Sequence, residues 1–224
     1  MLILFDIDGT MLSSEGVGVR SMEETGELMF GKPFLLSGIS FGGCLDPLIW
    51  KDACKLHGIE NHASHHKEFR ELYTDLLRKN ISKVQVRILP GIEELLEACI
   101  EIDNVTLGLV TGNYKETGLM KLQAAGINTD MFVSNAWGTD GEQRVDLPPV
   151  AIAAHKKDES AVLIGDTIHD VTSGQAAGCR VIAVCTGSHD RATLLESNPD
   201  LLVDDLSDTE AVLHWIFNTQ TQSP

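Results

Sequence analysis

Two carboxylates, Asp6 and Asp8, stand one residue apart at the point where the apolar run LILF (residues 2–5) ends. A short apolar run of this kind is typical of a buried β-strand. Two acids at its end repel each other and lose hydration unless something compensates. The stretch DIDGT at residues 6–10 therefore indicates either a bound cation or a chemical task for these carboxylates.

Polar residues also follow two later apolar runs. Thr111, Gly112 and Asn113 come after VTLGLV (105–110), and Asp166, followed four residues later by Asp170, comes after AVLIG (161–165). In open α/β sheets, ligands bind outside the carboxyl ends of the strands. The sequence therefore predicts that three strand ends present acids, a hydroxyl group and glycine-rich turns to one crevice.

The pattern of apolar runs predicts the fold class. Further strands are predicted at 131–133, 181–184 and 201–203, and helix-like stretches at 91–101, 114–125, 148–156 and 170–177 lie between the strands. Alternation of strand and helix is typical of a doubly wound parallel sheet. We therefore expect an α/β, Rossmann-like core.

Residues 14–85 break the alternation. They carry helical patterns at 20–30, 46–58 and 65–79 but no convincing strand. This predicts an inserted α-helical cap at 14–85 on a core formed by residues 1–13 and 86–224. Because the insert begins just after the acidic strand end, we expect the cap to lie over that end.

The motifs DIDGT, LVTGN and GDTIHD resemble motifs one, two and four of the haloacid dehalogenase superfamily of phosphohydrolases. They occur in the order of that superfamily, each behind a predicted strand, and the resemblance spans residues 2 to about 185. The helical insert looks like the first cap class of the superfamily. GISFGGCLDPLI in the insert and RVDLPP after residue 143 are similar to a phosphoglycolate phosphatase-like subgroup.

The resemblance implies a role for each acid. Asp6 would be the nucleophile, because a carboxylate needs no deprotonation at neutral pH and its attack on phosphorus gives an acyl phosphate. Asp8 would protonate the leaving group and then activate water. Mg²⁺ would be held by Asp6, Asp166 and the backbone carbonyl of Asp8. The other predicted site residues bind the phosphoryl group or support the site: Gly9, Thr10, Thr111, Gly112, Asn113 and Asp170.

The third motif of the superfamily is normally a lysine, and its position in this chain has to be argued. Arg144 precedes Asp166 with one short predicted helix between them, whereas Lys156 and Lys157 come late in that helix or beyond it. We therefore predict Arg144 as the catalytic cation. A second departure is Cys44 in GGCLDP, where members of the subgroup often have arginine, and we interpret it as a small apolar residue that bears on specificity.

Composition limits the partners. The chain has 224 residues, with 17 basic and 33 acidic side chains and a net charge of −16, which opposes binding to nucleic acid or to an anionic membrane. Its five cysteines form no CxxC pair, which favours reduced thiols and a cytoplasmic location. The expected partner is a small phosphorylated metabolite, bound by a monomer or a homodimer.

The predicted function is hydrolysis of a phosphomonoester with Mg²⁺ and an aspartyl-phosphate intermediate. Two alternatives remain open from the sequence. One is a phosphomutase of the same fold, similar to β-phosphoglucomutase, and the other is a non-catalytic phosphate-binding module.

Overall fold

A six-stranded parallel sheet forms the centre of the molecule in the computed structural model, which describes residues 1–155 and 159–218. The strands of the described residues are β1 (Leu2–Phe5), β2 (Leu12–Ser13), β3 (Arg87–Ile88), β4 (Thr106–Val110), β5 (Phe132–Ala136), β6 (Ala161–Gly165), β7 (Arg180–Val184) and β8 (Leu201–Val203). The sheet order is β5-β4-β1-β6-β7-β8, while β2 and β3 form a separate antiparallel pair. The predicted α/β, Rossmann-like fold is confirmed.

Helices cover both faces of the sheet. The α-helices of the described residues are α1 (Val17–Phe30), α2 (Asp46–Leu56), α3 (His62–Ile81), α4 (Ile92–Glu101), α5 (Lys115–Ala124), α6 (Leu147–His155), α7 (Ile168–Ala176), α8 (Arg191–Glu196) and α9 (Thr209–Phe217). Alternate side chains of β1 enter two different cores: Ile3 and Phe5 pack with residues of α4 and α9, whereas Leu2 and Leu4 pack with residues of α6 and α7. Because β1 is buried on both faces, all four of its residues are apolar. None of the helices in the described parts of the chain is long and apolar enough to cross a membrane.

The register of the central strands brings the three motif-bearing strand ends together. Phe5 of β1 pairs with Leu109 of β4 on one side and with Ile164 of β6 on the other. The residues that follow β1, β4 and β6 therefore leave the sheet at the same edge, since the strands are parallel and in line.

The three helices α1 to α3 lie in the chain between β2 and β3 and have a hydrophobic core of their own. Trp50 stacks on Phe69, and Phe69 stacks on Tyr73. The described segment has the helices that the sequence predicts, but the division into a core of 1–13 with 86–224 and a cap of 14–85 stays a prediction.

Some elements were not predicted from the sequence. The β2–β3 pair has two residues in each strand, and helices α8 and α9 follow β7 and β8. The chain enters the helical segment after β2 and leaves it before β3. Because β2 and β3 pair, the two ends of that segment lie side by side close to the end of β1.

Candidate active site

Three buried carboxylates meet at the carboxyl edge of the sheet. Asp6 follows β1, Asp166 follows β6 and Asp170 lies in the first turn of α7; a carboxylate oxygen from each lies within 4.8 Å of the others. All three side chains are almost completely buried. The structure thus brings together three acids that the sequence predicts for one site.

Neighbouring donors fix the orientation of Asp166 and Asp170. The Thr10 hydroxyl donates to Asp166 at 3.1 Å, and the backbone N–H of Ser188 donates to the other oxygen of Asp166 at 2.9 Å. Thr167 donates to Asp170 through its hydroxyl at 2.6 Å and its backbone N–H at 3.0 Å. The Thr10 hydroxyl is therefore hydrogen-bonded to Asp166. The predicted contact of Thr10 with substrate stays a prediction.

Two glycines let the backbone approach Asp166. Gly9 has a positive φ of 83°, and a Cβ there would lie 2.6 Å from a carboxylate oxygen of Asp166. At Gly187, which follows β7, a Cβ would overlap the same carboxylate. A side chain at either position would push Asp166 out of place, so both positions require glycine.

Burial and mutual repulsion disfavour the charged forms of two of these acids. Burial, with the charge of Asp170 as a further cause, raises the pKa of Asp6 from 3.8 to about 6, although Arg144 opposes the shift. Burial, followed by the charges of Asp170 and Asp6, raises the pKa of Asp166 to about 8. A cation at this site would relieve the repulsion, so the donor set of three hard carboxylates fits a divalent metal ion such as Mg²⁺.

Arg144 is the cation of this cluster. Its Nη2 lies 3.0 Å from an oxygen of Asp6, also donates to Asp170, and donates to the Val110 carbonyl at 2.9 Å. Burial works against its charge, but Asp170 and Asp6 outweigh that effect and raise its pKa further above the usual range. The short helical turn Arg144–Asp146, which runs into α6, carries this side chain under the strand ends. The competing residues Lys156 and Lys157 lie outside the described residues.

Asp8 turns away from the carboxylate cluster. It accepts hydrogen bonds from Lys121 Nζ at 2.6 Å, from the Asn113 amide at 2.8 Å and from the Ser14 hydroxyl at 3.3 Å. Burial acts to raise its pKa, but Lys121 and these donors outweigh burial and lower it. The two acids of DIDGT therefore occupy different surroundings.

The turn after β4 lies directly under the helical segment. The backbone N–H of Asp46, at the start of α2, donates to the Gly112 carbonyl at 2.8 Å, and the Asp46 carboxylate accepts from the backbone N–H of Tyr114 at 2.9 Å. A Cβ on Gly112 would overlap the Cys44 carbonyl oxygen. The predicted phosphate-binding turn is thus held between the sheet and the helical segment. The helix that follows it begins at Lys115, so Gly112 and Asn113 precede the helix instead of lying in its first turn.

A cavity of about 420 Å³ opens between the strand ends and the helical segment. On the core side it is lined by Asp6, Thr111, Arg144 and Asp166, and the cap contributes Cys44 and an apolar wall. Burial raises the pKa of the Cys44 thiol, so it stays protonated at neutral pH. This favours the interpretation of Cys44 as a small wall residue over that of a reactive thiol.

Three residues of the site were missed from the sequence: Lys121, Asp46 and Ser188. Ser188 follows β7, so the strand-end rule applied to a fourth strand would have found it. Lys121 is 5 % exposed and lies on a buried face of α5 with Thr117, Gly118 and Leu122. A lysine on a buried helix face is unusual, and the helical spacing of these residues would have indicated it. Asp46 precedes a proline at the start of a helix, which is also typical of an ordinary helix start.

Buried acids and cations that face a cavity at the carboxyl edge of a parallel sheet define an enzyme of the α/β class. The sequence profile described as "Haloacid dehalogenase-like hydrolase" matches residues 3–184, and the chain belongs to that family of hydrolases.

Individual relatives are distant and match almost the whole chain. A pyrophosphatase PpaX of Bacillus pumilus is 25 % identical over 226 residues, covering 94 % of this chain and 95 % of the relative. A phosphoglycolate phosphatase of Photorhabdus laumondii is 23 % identical, covering 92 % and 89 %. The crystal structure of a hydrolase from Pseudomonas syringae superposes with a TM-score of 0.72 at 20 % identity, covering 96 % of this chain and 98 % of that one, which supports the fold.

Proposed function

We propose that the protein is a Mg²⁺-dependent phosphatase that hydrolyses a small phosphorylated metabolite through a phosphoryl group carried on Asp6. One observation carries the proposal: Asp6 is held at the cavity floor by Arg144 at 3.0 Å, while Asp8 turns to the opposite side. These different surroundings support two different tasks for the two acids, attack on phosphorus and protonation of a leaving group.

The first half-reaction uses both acids. An oxygen of Asp6 attacks phosphorus, and the bond from phosphorus to the leaving oxygen breaks. Asp8, which Lys121 and its other donors keep ionised in the free protein, takes up a proton as the anionic phosphate ester binds beside it, and it gives this proton to the leaving oxygen, so that the alcohol leaves neutral. The Thr111 hydroxyl and the backbone N–H groups of Gly112 and Asn113 donate to the phosphoryl oxygens, and the guanidinium of Arg144 balances their charge.

The second half-reaction restores the enzyme. Asp8, now ionised, takes a proton from water, whose oxygen attacks the phosphorus of the acyl phosphate. The bond from phosphorus to Asp6 breaks, and inorganic phosphate is released. Asp8 thus ends each cycle protonated, ready for the next substrate.

Asp6, Asp166 and the backbone carbonyl of Asp8 would hold Mg²⁺, and the carboxylate cluster described above fits such an ion. Bound there, Mg²⁺ supplies positive charge that screens the anionic nucleophile from the phosphate dianion. Thr10 and Ser188 orient Asp166 by their hydrogen bonds.

Mg²⁺ should raise the melting temperature of the protein, and the rise should grow with pH. In the metal-free fold, the pKa values of Asp6 and Asp166 are raised to about 6 and about 8, so the folded state binds more protons than the unfolded chain. Its stability therefore falls as pH increases through this range, whereas Mg²⁺ binds the deprotonated acids. At a Mg²⁺ concentration a hundredfold above Kd, we expect the free energy of unfolding to increase by about 2.7 kcal/mol. This corresponds to a rise in melting temperature of roughly 5–10 °C at high pH.

Thermal melts with Mg²⁺ or EDTA between pH 5.5 and 8.5 measure this effect, with Asp166→Asn as the variant that should lose it.

Activity should vanish in EDTA and return with Mg²⁺, and Ca²⁺ should inhibit because it prefers more ligands and longer bonds. Full activity in EDTA would exclude the metal assignment.

Asp8→Asn should slow hydrolysis of alkyl phosphates by about 10²- to 10⁴-fold, the usual contribution of a general acid. The loss should be smaller on aryl phosphates, because a good leaving group needs little protonation. Steady-state rates on a matched pair of alkyl and aryl phosphates measure the difference. Equal losses on both esters would argue against the acid role of Asp8.

The substrate itself stays open. The names of the relatives given above denote one enzyme that acts on pyrophosphate and one that acts on phosphoglycolate. Phosphate release from a panel of phosphorylated metabolites with Mg²⁺ present tests the proposal. Recovery of an isomeric phosphate ester without released phosphate would favour the phosphomutase alternative. The cytoplasmic location stays a prediction from the cysteine pattern.

A further inference from the structure

The ammonium group of Lys121 is a buried cation that has no contact with substrate in the mechanism above. It donates to Asp8 at 2.6 Å and to the Asn113 side-chain carbonyl at 2.7 Å. An ammonium has three protons, and the third has no acceptor among the described residues. An unused donor on a nearly buried charged side chain costs free energy unless a ligand accepts its proton.

The backbone of α1 comes close to this ammonium at the edge of the cavity. A Cβ on Gly18, near the start of α1, would be in contact with it, 3.5 Å from Lys121 Nζ and 3.3 Å from the Tyr73 hydroxyl oxygen. All three residues line the cavity. Because residue 18 has no side chain, no methyl group lies against the ammonium on this side.

No other basic side chain among the described cavity-lining residues is placed to meet a second negative charge. The only other one, Arg144, is bound to Asp6 and Asp170. The helical segment lines the cavity with the apolar Val19, Met22 and Ile49, and its charged lining residues, Glu15 and Asp46, are acids. A negative charge on the leaving group would therefore find Lys121 as its one cation.

We infer that Lys121 is a specificity residue that binds an anionic substituent of the leaving group, a carboxylate or a second phosphoryl group. This inference rests on the proposed function, because a leaving group exists only if the site cleaves a phosphate ester or anhydride. Asp8 must touch the leaving oxygen, and Lys121 is hydrogen-bonded to the same carboxylate. The anion that Lys121 binds therefore belongs to the leaving group, on the side of the scissile oxygen that faces Asp8.

The test compares leaving groups that differ in charge. The probes are phosphoglycolate, its neutral isosteric amide, and pyrophosphate, so that carboxylate and phosphoryl anions are separate arms. Lys121→Met should lower kcat/KM for the anionic probes by about 10- to 100-fold more than for the amide, the usual range for loss of one hydrogen bond to a charged group. Most of this selective loss should appear in KM.

Two further variants separate binding from folding and from general charge. Gly18→Ala places a methyl group 3.5 Å from Lys121 Nζ and 3.3 Å from the Tyr73 hydroxyl oxygen, so it crowds the ammonium while leaving its charge in place. It should reduce activity on the anionic probes by a larger factor than on the amide. Lys115→Met removes an exposed lysine from the same helix and should leave the ratio of the probes unchanged.

The outcomes are distinct. Equal losses on all probes in Lys121→Met would mean that Lys121 only holds Asp8, and the inference would be wrong while the phosphatase proposal stood. A wild-type preference for the amide would also overturn it. If the wild type released phosphate from no probe and from no aryl phosphate, the proposed function itself would fail.

Discussion

Asp6→Asn should abolish turnover while leaving the fold intact. The amide has almost the same shape as the carboxylate but is a poor nucleophile and a weaker metal ligand. We expect kcat to fall by at least ~10³-fold, as losses of an essential nucleophile typically do. Steady-state phosphate release with any substrate found by the panel measures this loss.

The same substitution should not destabilise the metal-free protein. Burial and neighbouring acids raise the pKa of Asp6, so its charge costs free energy in the folded state, and a neutral amide removes that cost. A melting temperature equal to or above that of the wild type in EDTA would show that lost activity is not lost folding. Asp52→Asn, at an exposed position of α2, is the matched control and should keep full activity. Turnover of Asp6→Asn within tenfold of wild type would refute its role.

Arg144→Ala should lower kcat/KM by at least ~10²-fold, the usual effect of removing a group that stabilises developing charge. Its Nη2 contacts Asp6, Asp170 and the Val110 carbonyl, and its buried Nε has no hydrogen-bond partner among the described residues. Removal therefore takes away the partner that orients the nucleophile and a positive charge at the cavity floor.

The loss of Arg144 will also affect stability, because Asp170 would be left buried without its cation. Breaking such a pair typically costs about 3–5 kcal/mol, so activity must be measured well below the melting temperature of the variant. Arg144→Lys should recover part of the activity, since the charge returns without the planar guanidinium. Arg180→Ala removes an arginine that lies over the Trp215 ring and bonds backbone carbonyls outside the cavity, and it should stay within a few-fold of wild type.

The competing positions give a direct comparison. Lys156→Ala and Lys157→Ala should stay within a few-fold of wild type. If Lys157→Ala were instead the crippled variant, the catalytic cation would be misassigned and Arg144 would be a structural residue.

The sheet and the strand ends could be predicted because each rests on a local signal. Buried runs such as LILF are apolar throughout, and polar residues mark where they end. The prediction of Arg144 rested on the resemblance, which implies a cation one short helix before Asp166. The structure then places it against Asp6 and Asp170, a contact across 138 residues to Asp6 (144 − 6) that no local pattern encodes.

Other parts of the molecule could not be predicted from local patterns. Two-residue strands such as β2 and β3 have no periodicity to detect, and only their pairing reveals them. The contact between Lys121 and Asp8 joins a helix to a loop that lies more than a hundred residues away. Asp46 illustrates the same limit, because its hydrogen bond with the backbone of Tyr114 joins residues 68 positions apart in the sequence.

Detection of the phosphorylated enzyme tests the central claim most directly. Wild type and Asp8→Asn, whose second half-reaction lacks its base, would be mixed with Mg²⁺ and an aryl phosphate, whose leaving group needs little protonation, then quenched in acid and treated with borohydride, which reduces an acyl phosphate. Trypsin releases residues 1–20 as one peptide that contains Asp6. We predict that mass spectrometry will find the reduced residue at Asp6, with more of it in Asp8→Asn and none in Asp6→Asn. Modification at another residue, or turnover without any modified peptide, would contradict the account.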